Sequence, residues 1–305
     1  MNSIPPAQLQ DWLQQAAVDV VVLRLDLVDP DLSGNKWFKL VNHLDAARRA
    51  GSPGLISLGG PHSNHLHALA AAGHRFGFAT VGLLRGHEQD TPTVADLQAW
   101  GMQIHWLGYG GFRARNLPGF WQPWQQRHRG YYCIPEGGGG LPGALGCAEL
   151  VPRLPSALAA VGWDDYDAVW LAAGTGTTLA GLVIGEAGRH PVIGALAGPP
   201  SHAVDDNVAA LLAQAGVANE GYELLDASRG GFARFDKELA QFMYTAERDG
   251  GVPLDPIYTA KTMMALRLYV ERGYVAAGTR VLFVHTGGLQ GRRAAESQLH
   301  KLIHG

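Results

Sequence analysis

Along the chain, short β-branched or aromatic-rich runs alternate with longer stretches whose apolar positions recur at helical spacing. This alternation is the pattern of parallel sheets wrapped by helices, an α/β architecture. Strands are predicted near 54–58 (GLISL), 78–84 (FATVGLL), 103–107 (QIHWL), 168–172 (AVWLA), 192–196 (VIGAL) and 280–285 (RVLFVH). Helices are predicted over 36–50, 63–75, 91–100, 143–160, 177–188, 203–215, 236–249 and 260–272. The first three strands look like a compact sheet of their own. The expected organisation is therefore a small lobe, 41–148, inserted in a larger lobe made of 1–40 and 149–305, with a cleft between them.

Glycine changes this picture from architecture to function. The 305 residues include 41 glycines, well above an average usage of about 7%. They cluster at element ends: LGG at 58–60, EGGGG at 136–140, AAGTGTT at 172–178 and HTGG at 285–288. Where a strand ends in a glycine loop and feeds a helix, free N–H groups at the helix start favour an anion, and 58–65, 172–179 and 285–289 are such junctions. Charge excludes other classes. Only 17% of residues are charged, the net charge is −3 and no lysine or arginine run is present, so nothing attracts nucleic acid. The first twenty residues lack a secretory pattern and no segment stays apolar long enough to span a bilayer, so no membrane partner and a cytoplasmic location are expected. Cys133 and Cys147 are too few and too far apart for a zinc site or a disulfide framework, and reduced thiols are expected.

Candidate chemistry sits at the glycine junctions. In 168–182 the backbone N–H groups and the hydroxyls of Thr175, Thr177 and Thr178 form either a phosphate cup or a threonine-capped helix start. A dinucleotide fingerprint is a poor fit, since Leu179 stands where its third glycine belongs, and no lysine follows the turn as an ATP-binding loop requires. Ser63 and Asn64 open a helix after a strand, with Ser63 a candidate N-cap. His62, His65, His67 and His74 invite a metal reading, but no glutamate or cysteine set partners them and no metal is expected. Tyr258 precedes a helix, and Thr286 ends a strand, where its hydroxyl either caps the next helix or meets a ring nitrogen. Lys36, in LSGNKWFKL, reads by itself as a solvated charge. The tryptophans of 119–130 cover an interface, a cleft mouth or simply a surface loop.

The order of these motifs is more telling than any one of them. S-G-N-K-x-x-K, G-G-x-x-S-N, A-G-T-G-T-T, D-P-x-Y-T and H-T-G-G follow one another over roughly 20–290. In that order they resemble the pyridoxal-phosphate enzymes of the 1-aminocyclopropane-1-carboxylate deaminase and D-cysteine desulfhydrase family. The resemblance implies a two-lobed fold of the tryptophan synthase β type (fold type II), pyridoxal 5'-phosphate as cofactor, a small amino acid as substrate and a homodimer. It matches Lys36 to the lysine that carries the cofactor as a Schiff base, and Lys39 to a second lysine that helps neutralise the phosphate. Asn64 matches the partner of the cofactor's phenolic oxygen, Gly174, Thr175, Gly176, Thr177 and Thr178 match the phosphate cup, and Thr286 is expected to face the pyridine nitrogen. Ser63, with Asn64 and His65, is expected at the substrate, together with Tyr258 and Phe232.

Departures from the family pattern concern the substrate. Thr259 follows Tyr258 where the deaminases proper have glutamate, as in the desulfhydrases, and Phe232 falls where a second tyrosine is usual. His62, Leu66 and His67 also differ from the usual glutamine, threonine and arginine, which redraws the pocket. The expected reaction is β-elimination and deamination of D-cysteine or a related β-substituted D-amino acid, with Lys36, Ser63 and Tyr258 as catalytic residues. The alternatives are 1-aminocyclopropane-1-carboxylate ring opening, pyridoxal-phosphate binding without deaminase chemistry and, resting on AAGTGTT alone, a nicotinamide oxidoreductase.

Overall fold

The computed structural model describes residues 3–4, 11–199 and 203–305. Its strands are β1 (Ser3–Ile4), β2 (Asp19–Arg24), β3 (Gly54–Gly59), β4 (Ala79–Leu84), β5 (Gln103–Trp106), β6 (Tyr132–Cys133), β7 (Ala168–Ala173), β8 (Val192–Leu196), β9 (Tyr222–Asp226) and β10 (Arg280–His285). They form two sheets. The larger has the order β1-β2-β10-β7-β8-β9 and the smaller β5-β4-β3-β6. All neighbours are parallel except β1 and β2.

A parallel sheet needs cover on both faces, and the strand residues divide accordingly. Val20, Val22, Trp170, Val281 and Phe283 enter one core with helices Lys237–Gly250 and Thr259–Glu271. Their neighbours Val21, Leu23, Leu171, Leu282 and Val284 enter the opposite core with helices Gly140–Ala148, Thr177–Glu186 and Val204–Gln214. The period of two is that of a strand. In the smaller sheet Leu55 packs with helices Asn35–Arg49 and Asn64–Phe76. Ile56, Leu58, Val81 and Leu83 pack the other face with Phe112, and Trp121 and Trp124 lie against that cluster, so these tryptophans cover the small sheet.

Helices 35–49, 140–148 and 177–186 pack backbone to backbone. A Cβ on Gly146 would stand 2.0 Å from the Phe38 carbonyl oxygen, and one on Gly181 would stand 2.4 Å from that of Ala144. Only glycine permits these crossings. Ala144 and Cys147 belong to the core of the larger sheet, whereas helix 35–49 gives Phe38 to that core and Leu40 and Leu44 to the smaller one.

The predicted strands and most predicted helices agree with the structure to within two residues. The helix predicted over 143–160 does not. It is broken into helix Gly140–Ala148, a 3₁₀ turn Val151–Arg153 and helix Leu154–Ala159. Pro152 and Pro155 lack the N–H that a helix interior needs and each occupies the first turn of a new segment instead.

Candidate active site

The larger sheet orders β2, β10 and β7 side by side, so the loops leaving their C-terminal ends meet. These are the loop to Lys36, the HTGG loop and the AGTGTT loop. The first two are in backbone contact: the Asn35 N–H donates to the Thr286 carbonyl at 3.1 Å. Gly34 makes that approach possible with φ +71° and ψ −150°, a conformation open to glycine. The first and third are joined by a side chain, since Asn35 Nδ2 donates to Thr178 Oγ1 at 2.8 Å. The fourth motif arrives from the smaller sheet, where β3 leads through Gly59 and Gly60 to Ser63 and Asn64.

Two helix starts at this junction differ in their caps, one closed by a side chain as at Thr91 and Asp236 and one open. Ser63 caps helix 64–76 through the Leu66 N–H at 3.2 Å, Thr91 caps helix 92–99 through Val94 at 3.1 Å, and Asp236 caps helix 237–250 through Leu239 at 2.9 Å. Helix 177–186 begins at Gly176, with φ +79° and no side-chain cap. Its N-terminal N–H groups and dipole are left for an anion. Thr175 Oγ1 and Thr177 Oγ1 lie 3.1 Å apart beside this start, and Asn207 Nδ2 donates to the Thr175 carbonyl.

Both lysines lie within this arrangement. Lys39 is buried and donates to the Gly137 carbonyl at 3.2 Å, tying in the EGGGG loop. A Cβ on Gly137 would be 3.1 Å from Thr175 Cγ2, so that loop borders the cup. Burial, with the charge of Lys39 added, drives the Lys36 amine well below the ordinary lysine value, against an opposing pull from Cys147 and Asp255. A neutral amine at this point is a nucleophile and a base. Burial pushes the neighbouring Cys147 thiol up, and hydrogen bonding with Thr178 opposes it.

Tyr258 comes from the opposite side. Its ring would meet a Cβ on Gly174 at 3.1 Å, which places it over the cup, and it stands 5.8 Å from the Phe232 ring in a T-shaped pair. The sequence-predicted Tyr258 and Phe232 are thus adjacent. Asp255 fixes this corner: its carboxylate accepts from the N–H groups of Ile257 (2.9 Å), Tyr258 (3.0 Å) and Thr259 (2.9 Å). Burial and the negative charges of Asp255 and Glu136 push the Tyr258 phenol up, with Arg85 opposing, so it stays protonated.

The remaining candidates divide. Asn64 Oδ1 is buried and has no hydrogen-bond partner, and a Cβ on Gly291 would lie 2.9 Å from it. His65 is turned into the protein. Ser57 Oγ donates to the Ile134 carbonyl at 2.8 Å and therefore accepts from His65 Nε2, also at 2.8 Å. Burial and the charges of Lys36, Lys39 and His43 keep that ring neutral, well below the usual histidine value. His67 joins Asp96 at 3.1 Å, which also pairs with Arg293, while His62 and His74 are exposed. Thr286 is buried at the junction, its carbonyl being the acceptor for Asn35. Sequence reasoning missed Asn35, Asp255 and Cys147. Asn35, between Gly34 and Lys36, and Asp255, which opens D-P-x-Y-T, both left a signal as motif positions, and Cys147 left none.

An uncapped helix start for a phosphate, a neutral-poised lysine, an unpaired buried amide at Asn64 and a glycine floor under Tyr258 fit pyridoxal phosphate. Two lobes, parallel sheets and this junction define a fold type II enzyme of the tryptophan synthase β kind. Comparison with known proteins gives the same answer. Over residues 4–287 the chain matches the family of pyridoxal-phosphate dependent enzymes, and it belongs to that family. It is 28% identical to a Pyrococcus horikoshii protein named as a 1-aminocyclopropane-1-carboxylate deaminase, over 94% of this chain and 90% of that one. It is also 28% identical to the D-cysteine desulfhydrase of Klebsiella pneumoniae, over 88% and 87% of the two chains. The crystal structure of a homologue of 1-aminocyclopropane-1-carboxylate deaminase superposes with a TM-score of 0.83 at 27% identity, covering 96% of this chain and 91% of that one. Threonine deaminase of Solanum lycopersicum shares the fold, with a TM-score of 0.69 at 15% identity over 99% and 84% of the chains.

Proposed function

We propose that the protein catalyses β-elimination from a small β-substituted amino acid, D-cysteine or a close analogue, expelling the β-substituent (sulfide from cysteine), after which water hydrolyses the unsaturated product to a 2-oxo acid and ammonia. The observation that carries this choice is the state of Thr259. Its hydroxyl donates to Asp255 Oδ1 at 2.8 Å and accepts from the Asp255 N–H at 2.8 Å, and the residue is fully buried. The position next to Tyr258 therefore offers no acid or base to a substrate, whereas opening a cyclopropane ring calls for a proton donor at the departing carbon. Elimination needs only a base at Cα and a leaving group at Cβ.

When bound, pyridoxal phosphate supplies an aldehyde that captures an amine and a ring that draws electrons from the amino acid's Cα. The residues do the rest. The N–H groups and dipole of helix 177–186, with Thr175 and Thr177, hold the phosphate, and Lys39 adds positive charge beside it. Asn64 orients the ring by its amide. The N-terminus of helix 64–76, with Ser63, receives the substrate carboxylate. Lys36 Nζ, its amine pushed well below the ordinary lysine value by burial and by Lys39, takes the Cα proton in its neutral form; the Cβ–S bond then breaks with its electron pair leaving on sulfur. Tyr258 holds a hydrogen on its phenol oxygen next to the departing group, and Phe232 walls that side. We assign His65 to supporting Gly138, where a built Cβ would stand 3.2 Å from both His65 Nδ1 and Lys39 Cβ.

The same reading extends to organisation. Residues 1–40 with 149–305, and 41–148, form the two lobes, and the packing of Ala144 and Cys147 in the larger core supports moving the second boundary ahead of helix 140–148. A homodimer and a cytoplasmic location complete it. Among the described residues no helix is long and apolar enough to cross a membrane.

Incubating the holoenzyme separately with D-cysteine, L-cysteine and 1-aminocyclopropane-1-carboxylate tests the proposal. Sulfide and pyruvate in equal amounts from D-cysteine, lost in Lys36→Ala, are expected. Release of 2-oxobutyrate from the cyclopropane substrate without sulfide from either cysteine would favour ring opening. Retained turnover in Lys36→Ala would sink the mechanism.

A further inference from the structure

We propose that Lys261 is a positioning residue for substrate binding: its ammonium holds the 228–233 loop in the conformation that presents Phe232 to Tyr258. The inference deepens the reading of these two rings as a substrate wall and rests on it. Lys261 lies in helix 259–271 and is only 1% exposed, among the largest fully buried side chains of the protein. Its three hydrogen bonds all go to main-chain carbonyls: Ala197 at 3.2 Å, Ser228 at 2.8 Å and Gly231 at 2.9 Å. A buried ammonium held by neutral oxygens alone is unfavourable compared with an apolar side chain of the same shape. Burial accordingly pulls its pKa down to about 8, Arg229 lowering it further while Asp255, Asp226 and Asp236 oppose. Packing does not require a charge here, so the charge is there for what it binds.

What it binds is a loop with backbone strain at successive positions. Arg229 (φ +50°), Gly230 (+81°), Gly231 (+149°) and Ala233 (+61°) all have positive φ, and two of them carry side chains. Such residues persist only where surroundings impose them. Ser228 O also accepts from the Gly231 N–H at 3.2 Å, and Gly231 O accepts from the Arg234 N–H at 3.3 Å. Lys261 therefore bridges the two carbonyls that define the turn. On the solvent side Arg229 pairs with Asp236 and Glu238, each at 2.7 Å. Phe232 follows Gly231 directly, and the Phe232–Tyr258 ring pair carries the constraint to the cup. The bond to Ala197 ties the residue just after β8 to the same ammonium.

The holoenzyme with Lys261→Met, which keeps the shape and removes the donors, tests this. A rise in KM for D-cysteine of about tenfold with kcat within about twofold is expected, since the charge-assisted bonds that hold the wall are each worth more than a neutral one. Cofactor occupancy should be unchanged and amide exchange should accelerate at 229–233 and beside Ala197, with the rest of the chain unchanged. In Lys261→Ala, added methylammonium should restore part of the lost affinity and tetramethylammonium should not. Unchanged KM and exchange would overturn the proposal, and so would exchange raised across the whole chain with KM and kcat falling together. If Lys261→Met does not fold, Lys261→Gln, which retains two N–H donors, is read by the same exchange and KM criteria. Failure of the wild type to turn over any small amino acid would count against the functional reading alone, because exchange at 229–233 reports the clamp without turnover.

Discussion

An alanine at Gly34 would put its Cβ 2.2 Å from the Thr286 carbonyl oxygen and 2.8 Å from Gly287 Cα. Both are backbone atoms, so neither swings aside as a side chain would. The φ of +71° with ψ of −150° is itself costly for alanine, about 1–3 kcal/mol. Relieving the overlap also separates the Asn35 N–H from Thr286 O, now 3.1 Å apart, at about 1 kcal/mol. The expected loss is about 2–4 kcal/mol, a large share of the stability of an ordinary domain. Gly51 supplies the control: it has φ +62° but nothing within 4 Å of a built Cβ, so Gly51→Ala bears only the backbone strain of about 1–2 kcal/mol. Urea unfolding of the two variants, with cofactor titration followed by absorbance, separates strain from contact. Gly34→Ala should be the less stable and should bind the cofactor at least about tenfold more weakly, because Lys36 lies two residues on. Equal stability losses with unchanged cofactor affinity would refute the idea that the 34–286 contact sets the lysine.

Burial alone would raise the Asp26 carboxyl, but hydrogen bonds from Arg24 (2.6 and 2.7 Å) and His285 (3.1 Å) outweigh it and hold it well below the usual range. The unfolded chain then binds the extra proton, so this contribution is full above the unfolded carboxyl value near 3.9 and is lost as pH falls toward the folded one; Asp26→Asn should flatten the stability profile below about pH 5, and an unchanged slope would count against the network. For Tyr258→Phe, kcat should drop about tenfold or more with cofactor affinity intact, and the wild-type profile should show no tyrosine limb below pH 10; a full-rate variant would remove the phenol from the mechanism. Lys39→Met takes away one of the two causes of the depressed Lys36 amine, so the pH midpoint of cofactor adduct formation should move upward. A fixed midpoint would leave burial as the sole cause.

Elements whose signal is local were legible in the sequence. The buried runs at 54–58, 168–172 and 280–285 are β-branched or bounded by glycine loops, and helix 35–49 has a clear apolar stripe. Equally buried β2, with Val20, Val21 and Val22, was not anticipated, because a short apolar run flanked by Asp19 and Arg24 rather than by turn residues does not distinguish strand from buried helix. β9 is an edge strand of mixed exposure, and β6 is two residues long. The glycine motifs pointed to loops that do meet, yet their meeting depends on the sheet order β2-β10-β7, which crosses more than two hundred residues of chain. Bonds such as Asn35 to Thr178 and Lys261 to Ser228 exist only once that order is formed. The family resemblance pointed to Tyr258 and Phe232 as candidates, but their ring contact came from the fold.

The central claim is that Lys36 is the amine that the cofactor's aldehyde engages. Borohydride reduction of the purified protein supplied with pyridoxal phosphate, followed by peptide mass mapping, addresses it directly. The account predicts a single pyridoxyl adduct on the peptide containing Lys36, absent in Lys36→Ala. An adduct confined to another lysine, or none at all with Lys36 unmodified, would contradict it.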